Sequence, residues 1–134
     1  MRLYLAILAL HCYADFCLQI QGNLHELKQK EWWGKVLQRD GHGMFTHLYA
    51  KFGRDWVAGM TVHAVFCTIV TFAPLIYLTE SPWWNIGIVA FNSAVHWLTD
   101  HLKANMHSIN LRQDQFIHFV HITLTYIVWR LFAA

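Results

Sequence analysis

A chain of 134 residues that is 56% hydrophobic and 13% charged carries about half the charge of an ordinary soluble domain and reads as a single membrane domain. A net charge of +2 is too small to suggest a nucleic-acid binder. Three cysteines, Cys12, Cys17 and Cys67, without a CxxC pair exclude both a disulfide framework and a zinc ribbon.

The N-terminal run MRLYLAILALHCYA has one basic residue, an apolar stretch and a small residue near a plausible cleavage point, as a signal peptide does. Apolar character resumes after Asp15, so a retained span over roughly 3–21 is expected instead. A polar loop over 22–56 follows. Within it, LHELKQKEWWGKVLQRD reads as an amphipathic helix. MFTHLYAKF puts Met44, Phe45, Leu48, Tyr49 and Phe52 on one helical face, and Asp40-Gly41-His42-Gly43 breaks the two apart. Both pieces are expected to lie flat on the membrane, with Trp32, Trp33 and Trp56 at headgroup level; a lid over a site is the alternative. Three more spans are read at roughly 57–79, 84–102 and 114–133. The fold expected is therefore all-α: an integral membrane bundle of four transmembrane helices, with one or two interfacial helices in the first loop.

Six of the ten basic residues, Lys28, Lys30, Lys35, Arg39, Lys51 and Arg54, lie in that first loop, and Lys103 and Arg112 lie between the third and fourth spans. The positive-inside rule then puts both loops on the cytoplasmic side of a bacterial inner membrane, and both termini outside. Trp83, Trp84 and Trp129 are expected at the outer interface.

Histidine is the compositional anomaly, with ten residues, as many as lysine and arginine together. In HCYADFCLQ, His11 and Asp15 stand four apart and share one helix face. HWLTD repeats the pattern with His96 and Asp100, and DQFIH reverses it with Asp114 and His118. His63 comes from the second span. The reversal suits an antiparallel neighbour, since it brings imidazoles and carboxylates to matching depths on one side. At about 1.5 Å per residue, His63 and His96 lie roughly 9 Å from the inner ends of their spans, His118 roughly 6 Å and His11 roughly 15 Å. A carboxylate deep in the bilayer costs on the order of 3 kcal/mol, so several together imply that they face one another, water or a cation. Imidazole and carboxylate suit a divalent transition metal, zinc first, with iron or manganese as alternatives. The candidate ligands are His11, Asp15, His63, His96, Asp100 and His118. Gln19, Gln115, Asn92 and Thr99 are candidates to orient them. A membrane histidine outside such a set usually bonds between helices, which is the expectation for His121 and His107. His25, His42, His47 and His101 are expected to be solvated or interfacial, and the three cysteines to be buried packing.

HCYADFCLQ, the later HAV, HWLTDHLKA and DQFIH together resemble a bacterial and phage membrane family catalogued as domain of unknown function 3307. Its pattern is an HxxADFxLQ-like opening, an HxLxD-like segment followed by lysine, and a closing DQxxH. The likeness covers most of the chain outside the Trp-rich loop. It carries His11, Asp15, Gln19, His63, His96, Asp100, Lys103, Asp114, Gln115 and His118 as site residues, and it implies no particular activity. A more distant likeness, of His/Asp arrangement only, is to inner-membrane proteins described as metal-dependent hydrolases.

These readings converge on a metal-dependent hydrolase acting on a lipid or lipid-linked substrate near the inner leaflet. Asp114 or Asp15 is expected as general base, and Lys103 as the group that steadies a developing oxyanion or a lipid phosphate. The alternatives are a proton- or ion-conducting protein built on the His/Asp cluster, and a non-enzymatic membrane factor acting by homo-oligomerisation or by binding a host protein.

Overall fold

Helix starts and stops follow local chemistry. Asn110 accepts a hydrogen bond from the backbone N–H of Gln113, and the Gln113 side chain accepts one from the Asn110 N–H, a closed capping box. Pro82 opens the preceding helix, where its missing N–H costs nothing. A computed structural model of the protein describes residues 1–17, 28–30 and 55–133. Among them are four α-helices and no strand: α1 (Arg2–Cys12), α2 (Asp55–Leu78), α3 (Pro82–Ala104) and α4 (Leu111–Phe132). The helix extents expected at 57–79, 84–102 and 114–133 agree with α2 to α4 to within three residues at each end. The first does not: the α-helix ends at Cys12 and continues as a π-helical turn over Tyr13–Cys17. That wider winding keeps His11, Ala14 and Asp15 all buried, and such turns recur at functional sites. Most of the expected amphipathic loop, with Trp32, Trp33, His25, His42 and His47, lies outside the described residues, as does Gln19.

The helices close a ring. The second packs on the first and third, and the fourth packs on the third and first. One end of the interior is apolar, formed by Ile7, Phe72, Leu75, Ile88, Ile122 and Trp129. Trp129, expected at the outer interface, is instead buried. Its indole N–H donates to Thr79 Oγ1 at 2.7 Å, and that hydroxyl donates to the Leu75 carbonyl. Tyr4 and Thr123 join α1 to α4 by a 2.7 Å hydroxyl pair. The other end of the interior is polar and holds the candidate site.

Of the described helices only Asp55–Leu78 is long and apolar enough to cross a membrane by those two measures. Pro82–Ala104 and Leu111–Phe132 have the length, at 23 and 22 residues. Their inward histidines, aspartates and asparagine lower their apolarity.

The capping box gives a direct check. Asn110→Ala should lower unfolding stability in detergent by about 1 kcal/mol, read from a chemical denaturation midpoint. It should leave helix content below the transition unchanged.

Candidate metal centre

Each helix supplies the polar end of the interior. The π turn brings Asp15, α2 brings His63, α3 brings His96 and Asp100, and α4 brings Asp114 and His118. All six side chains are buried, Asp100, Asp114 and His118 with no exposed surface. Two of the three expected i to i+4 pairs stand within ion-pair reach: His96 Nε2 is 3.7 Å from Asp100 Oδ2, and His118 Nε2 is 3.6 Å from Asp114 Oδ1. Across helices, His63 Nε2 lies 3.1 Å from Asp100 Oδ2, 3.2 Å from His96 Nε2 and 3.8 Å from Asp15 Oδ1. Two donors on one ion at about 2.0–2.2 Å stand roughly 3–3.6 Å apart. The cluster therefore has the separations of a ligand set.

His11 reaches the same interior by its ring, centred 4.9 Å from that of His118 and 6.0 Å from that of His96. It is not among the groups whose donor atoms all lie within 4.8 Å of one another. Those groups are Asp15 with His63, His96 and Asp100; Asp15 with Asp114 and His118; and His63 with Cys67 and His96. Gln115 donates to Asp15 Oδ2 at 2.9 Å and to Asp114 Oδ2 at 3.0 Å, tying the two carboxylates together. Lys103, expected to steady an oxyanion, forms an ion pair with Asp114 Oδ2.

Lys28 is the residue that sequence reasoning assigned elsewhere. Counted among the cytoplasmic loop charges, it is instead 1% exposed, with its ammonium 2.9 Å from Asp100 Oδ2. Its neighbourhood is fastened to the end of α3. Asn105 donates to the Lys28 carbonyl and accepts from the Lys30 N–H. A local signal was lacking, because the partner is 72 positions away.

Other expectations changed as well. His121 does bond between helices, its Nδ1 2.9 Å from Asn92 Oδ1 on α3, while its Nε2 is 3.1 Å from Nδ1 of His118 on the same helix. His107, expected in that role, is exposed in the turn after α3 with φ 51°, a left-handed conformation that histidine adopts more readily than most residues. His101 stacks on Trp56 and Trp97, with ring centroids 5.4 and 5.1 Å away. Cys67 is buried beside His63, its Sγ 3.5 Å from Nδ1, whereas Cys12 is exposed.

The hydrogen bonds decide which atoms are free to bind. Asn92 Nδ2 donates to the Ile88 carbonyl, which can only accept, so Oδ1 faces the other way. That oxygen accepts from Thr125 and from His121 Nδ1. His121 Nε2 must then accept, and His118 Nδ1 must donate to it. In the neutral ring this leaves a lone pair on His118 Nε2, aimed at Asp114 Oδ1. Neither of these two atoms has a hydrogen-bond partner among the described residues, and the same holds for His11 Nε2 and Asp100 Oδ1. Buried polar atoms are rarely left this way. Two acceptors facing each other at 3.6 Å call for a positive charge between or beside them, either a proton on the ring or a metal ion.

Fold and site together define a class: an all-helical protein whose interior holds buried His, Asp and Cys groupings able to bind a metal. Comparison of the chain with protein-family models, curated proteins and solved structures finds no match.

Proposed function

We propose that the protein is a membrane-embedded, metal-dependent hydrolase of a lipid or lipid-linked substrate, related to the family its motifs resemble. The observation that carries this reading is the buried cluster of imidazoles and carboxylates at ligand separations, in which Asp100 Oδ1, Asp114 Oδ1 and His118 Nε2 have no hydrogen-bond partner among the described residues. Membrane embedding draws on inverted burial. Inside are five histidines, three aspartates, an asparagine and a lysine; outside are Val62, Phe66, Phe91, Leu98, Phe116 and Leu124, each 46–66% exposed and drawn from three helices. In water such a surface is an association liability, whereas in lipid it is the solvent-matched face. Four spans in an inner membrane follow if α1, α3 and α4 cross beside α2 with their polar faces turned inward.

In this reading Asp15, His63, His96 and Asp100 hold a divalent ion, with zinc first among the candidates. The ion supplies an activated water and polarises the scissile carbonyl or phosphoryl group. Asp114 keeps one carboxylate oxygen for the proton of that water. Lys28 and Lys103 hold two of the carboxylates in place, and the apolar end of the bundle keeps the site from opening through to the far side.

The test is element-resolved metal analysis of the detergent-purified protein and of a His96→Ala/Asp100→Ala variant. Bound divalent metal in the first and its loss in the second are expected, together with metal-dependent cleavage of an ester or phosphoester lipid in mixed micelles. Absence of metal from the intact protein would return the proton-relay alternative.

A further inference from the structure

Resting on that metal-binding reading, we infer that the centre takes two divalent cations, with Asp15 as the bridging carboxylate. Two ligand groups share that residue: Asp15, His63, His96 and Asp100 form one, and Asp15, Asp114 and His118 the other, each with donor atoms within 4.8 Å. The two oxygens of Asp15 have different neighbours. Oδ1 lies 3.8 Å from His63 Nε2, while Oδ2 accepts from Gln115, which also holds Asp114. The groups adjoin, with the rings of His96 and His118 centred 4.4 Å apart, compatible with ions about 3.5–4 Å apart in two-metal hydrolytic sites.

The groups are also built alike. In each, a lysine holds one oxygen of a carboxylate: Lys28 on Asp100 Oδ2, Lys103 on Asp114 Oδ2. In each, the other oxygen of that carboxylate is buried and has no hydrogen-bond partner among the described residues. In each, a histidine one helical turn away on the same helix directs Nε2 toward the carboxylate. A single ion in the first group leaves the second with the lone pair of His118 Nε2 facing Asp114 Oδ1, which is the contact that a second ion resolves. Asp114 then serves as a ligand instead of the base. The two ions lower the pKa of a bound water, and its proton passes to His11 Nε2, which is buried beside the cluster without a hydrogen-bond partner among the described residues.

Charge indicates what the loaded centre binds. Three carboxylates, two ammoniums, two divalent ions and a bridging hydroxide leave a surplus of about two positive charges. A buried surplus of that size selects a dianionic group, so the substrate class is a phosphate monoester.

The experiment strips the full chain in detergent and titrates it with Zn²⁺ or Mn²⁺ alone. X-ray absorption then reads the metal–metal distance. Two tight equivalents are expected, with a metal–metal vector at about 3.5–4 Å. His118→Ala and the milder His118→Gln should each keep one equivalent and lose the vector. His63→Ala should do the same from the other side. Helix content by circular dichroism identifies any variant that has unfolded, and the Gln variant then decides. Inorganic phosphate should bind the two-metal form at least about tenfold more tightly than the one-metal His118→Gln form, because one divalent charge is missing from the latter. One equivalent without a vector overturns the two-metal centre and leaves the single-metal hydrolase standing. No equivalents overturns both. Two equivalents that persist in a His63→Ala/His118→Ala double variant place the metals on surface histidines and overturn the inference.

Discussion

Lys28→Met should destabilise the metal-free protein by about 3–5 kcal/mol, the loss expected when one member of a buried ion pair is removed. The ammonium is 2.9 Å from Asp100 Oδ2, and the two side chains are 1% and 0% exposed. Without it, Asp100 keeps, among the described residues, His63 and His96 within ion-pair reach, and a carboxylate is left buried without its fixed positive charge. Two further measurements separate this cause from simple loss of packing. Lys28→Met combined with Asp100→Asn should regain about 2–3 kcal/mol, because an amide needs no counter-charge and the two changes share one contact. Saturating Zn²⁺ should rescue the single variant more than the parent, because the ion supplies the missing charge at the folded site and its binding to the unfolded chain is common to both. Chemical unfolding in micelles reads all three. A loss below about 1 kcal/mol, the value of a solvent-screened surface pair, would show that Lys28 is not in the interior.

That pair also marks the boundary of what was legible from the residues alone. The i to i+4 spacing of His96 with Asp100 and of Asp114 with His118 announced shared faces, because helical geometry is local and periodic. The reversed order in DQFIH announced an antiparallel partner. The starts of α3 and α4, at Pro82 and Leu111, fall two and three residues before the expected 84 and 114, because the caps at Ser81-Pro82 and Asn110 lie outside the apolar stretches from which the spans are read. Lys28 carried no such pattern: a lysine among lysines in a polar loop looks like a surface charge, and only the packing of distant segments distinguishes it. The π turn at Tyr13–Cys17 was equally silent, since HCYADFCLQ fits an α-helical face just as well. Trp129 misled for a different reason. Tryptophan near a span end usually marks the interface, and here a hydroxyl partner on the neighbouring helix, Thr79, draws the indole inward.

With His118 as a ligand of the second ion, Asn92→Leu should weaken metal binding on that side by about 10- to 100-fold, the effect typical of losing a group that orients a metal-bound histidine, although Asn92 is not itself in any of the ligand groups. The side chain is fully buried and fixes the polarity of a chain: Thr125 and His121 donate to its oxygen, and His121 in turn accepts from His118 Nδ1. Leucine fills similar space but accepts nothing. His121 is then free to take the other tautomer, in which Nε2 carries the proton and points it at His118. His118 must answer by accepting at Nδ1 and placing its own proton on Nε2, the atom aimed at Asp114. A protonated Nε2 cannot bind a metal. The loss therefore should fall on the Asp114 and His118 side of the cluster, with the His63, His96 and Asp100 side little changed. Asn92→Asp is the informative companion, because a carboxylate still accepts from His121 and Thr125 and so preserves the tautomer, while losing the bond to the Ile88 carbonyl. Its metal affinity should stay closer to the parent's than the leucine variant's does, even if it unfolds more easily. Isothermal titration with Zn²⁺, alongside nitrogen-resolved NMR of the histidine rings, distinguishes the two. Equal weakening in both variants would assign Asn92 to packing alone and remove the tautomer as the cause.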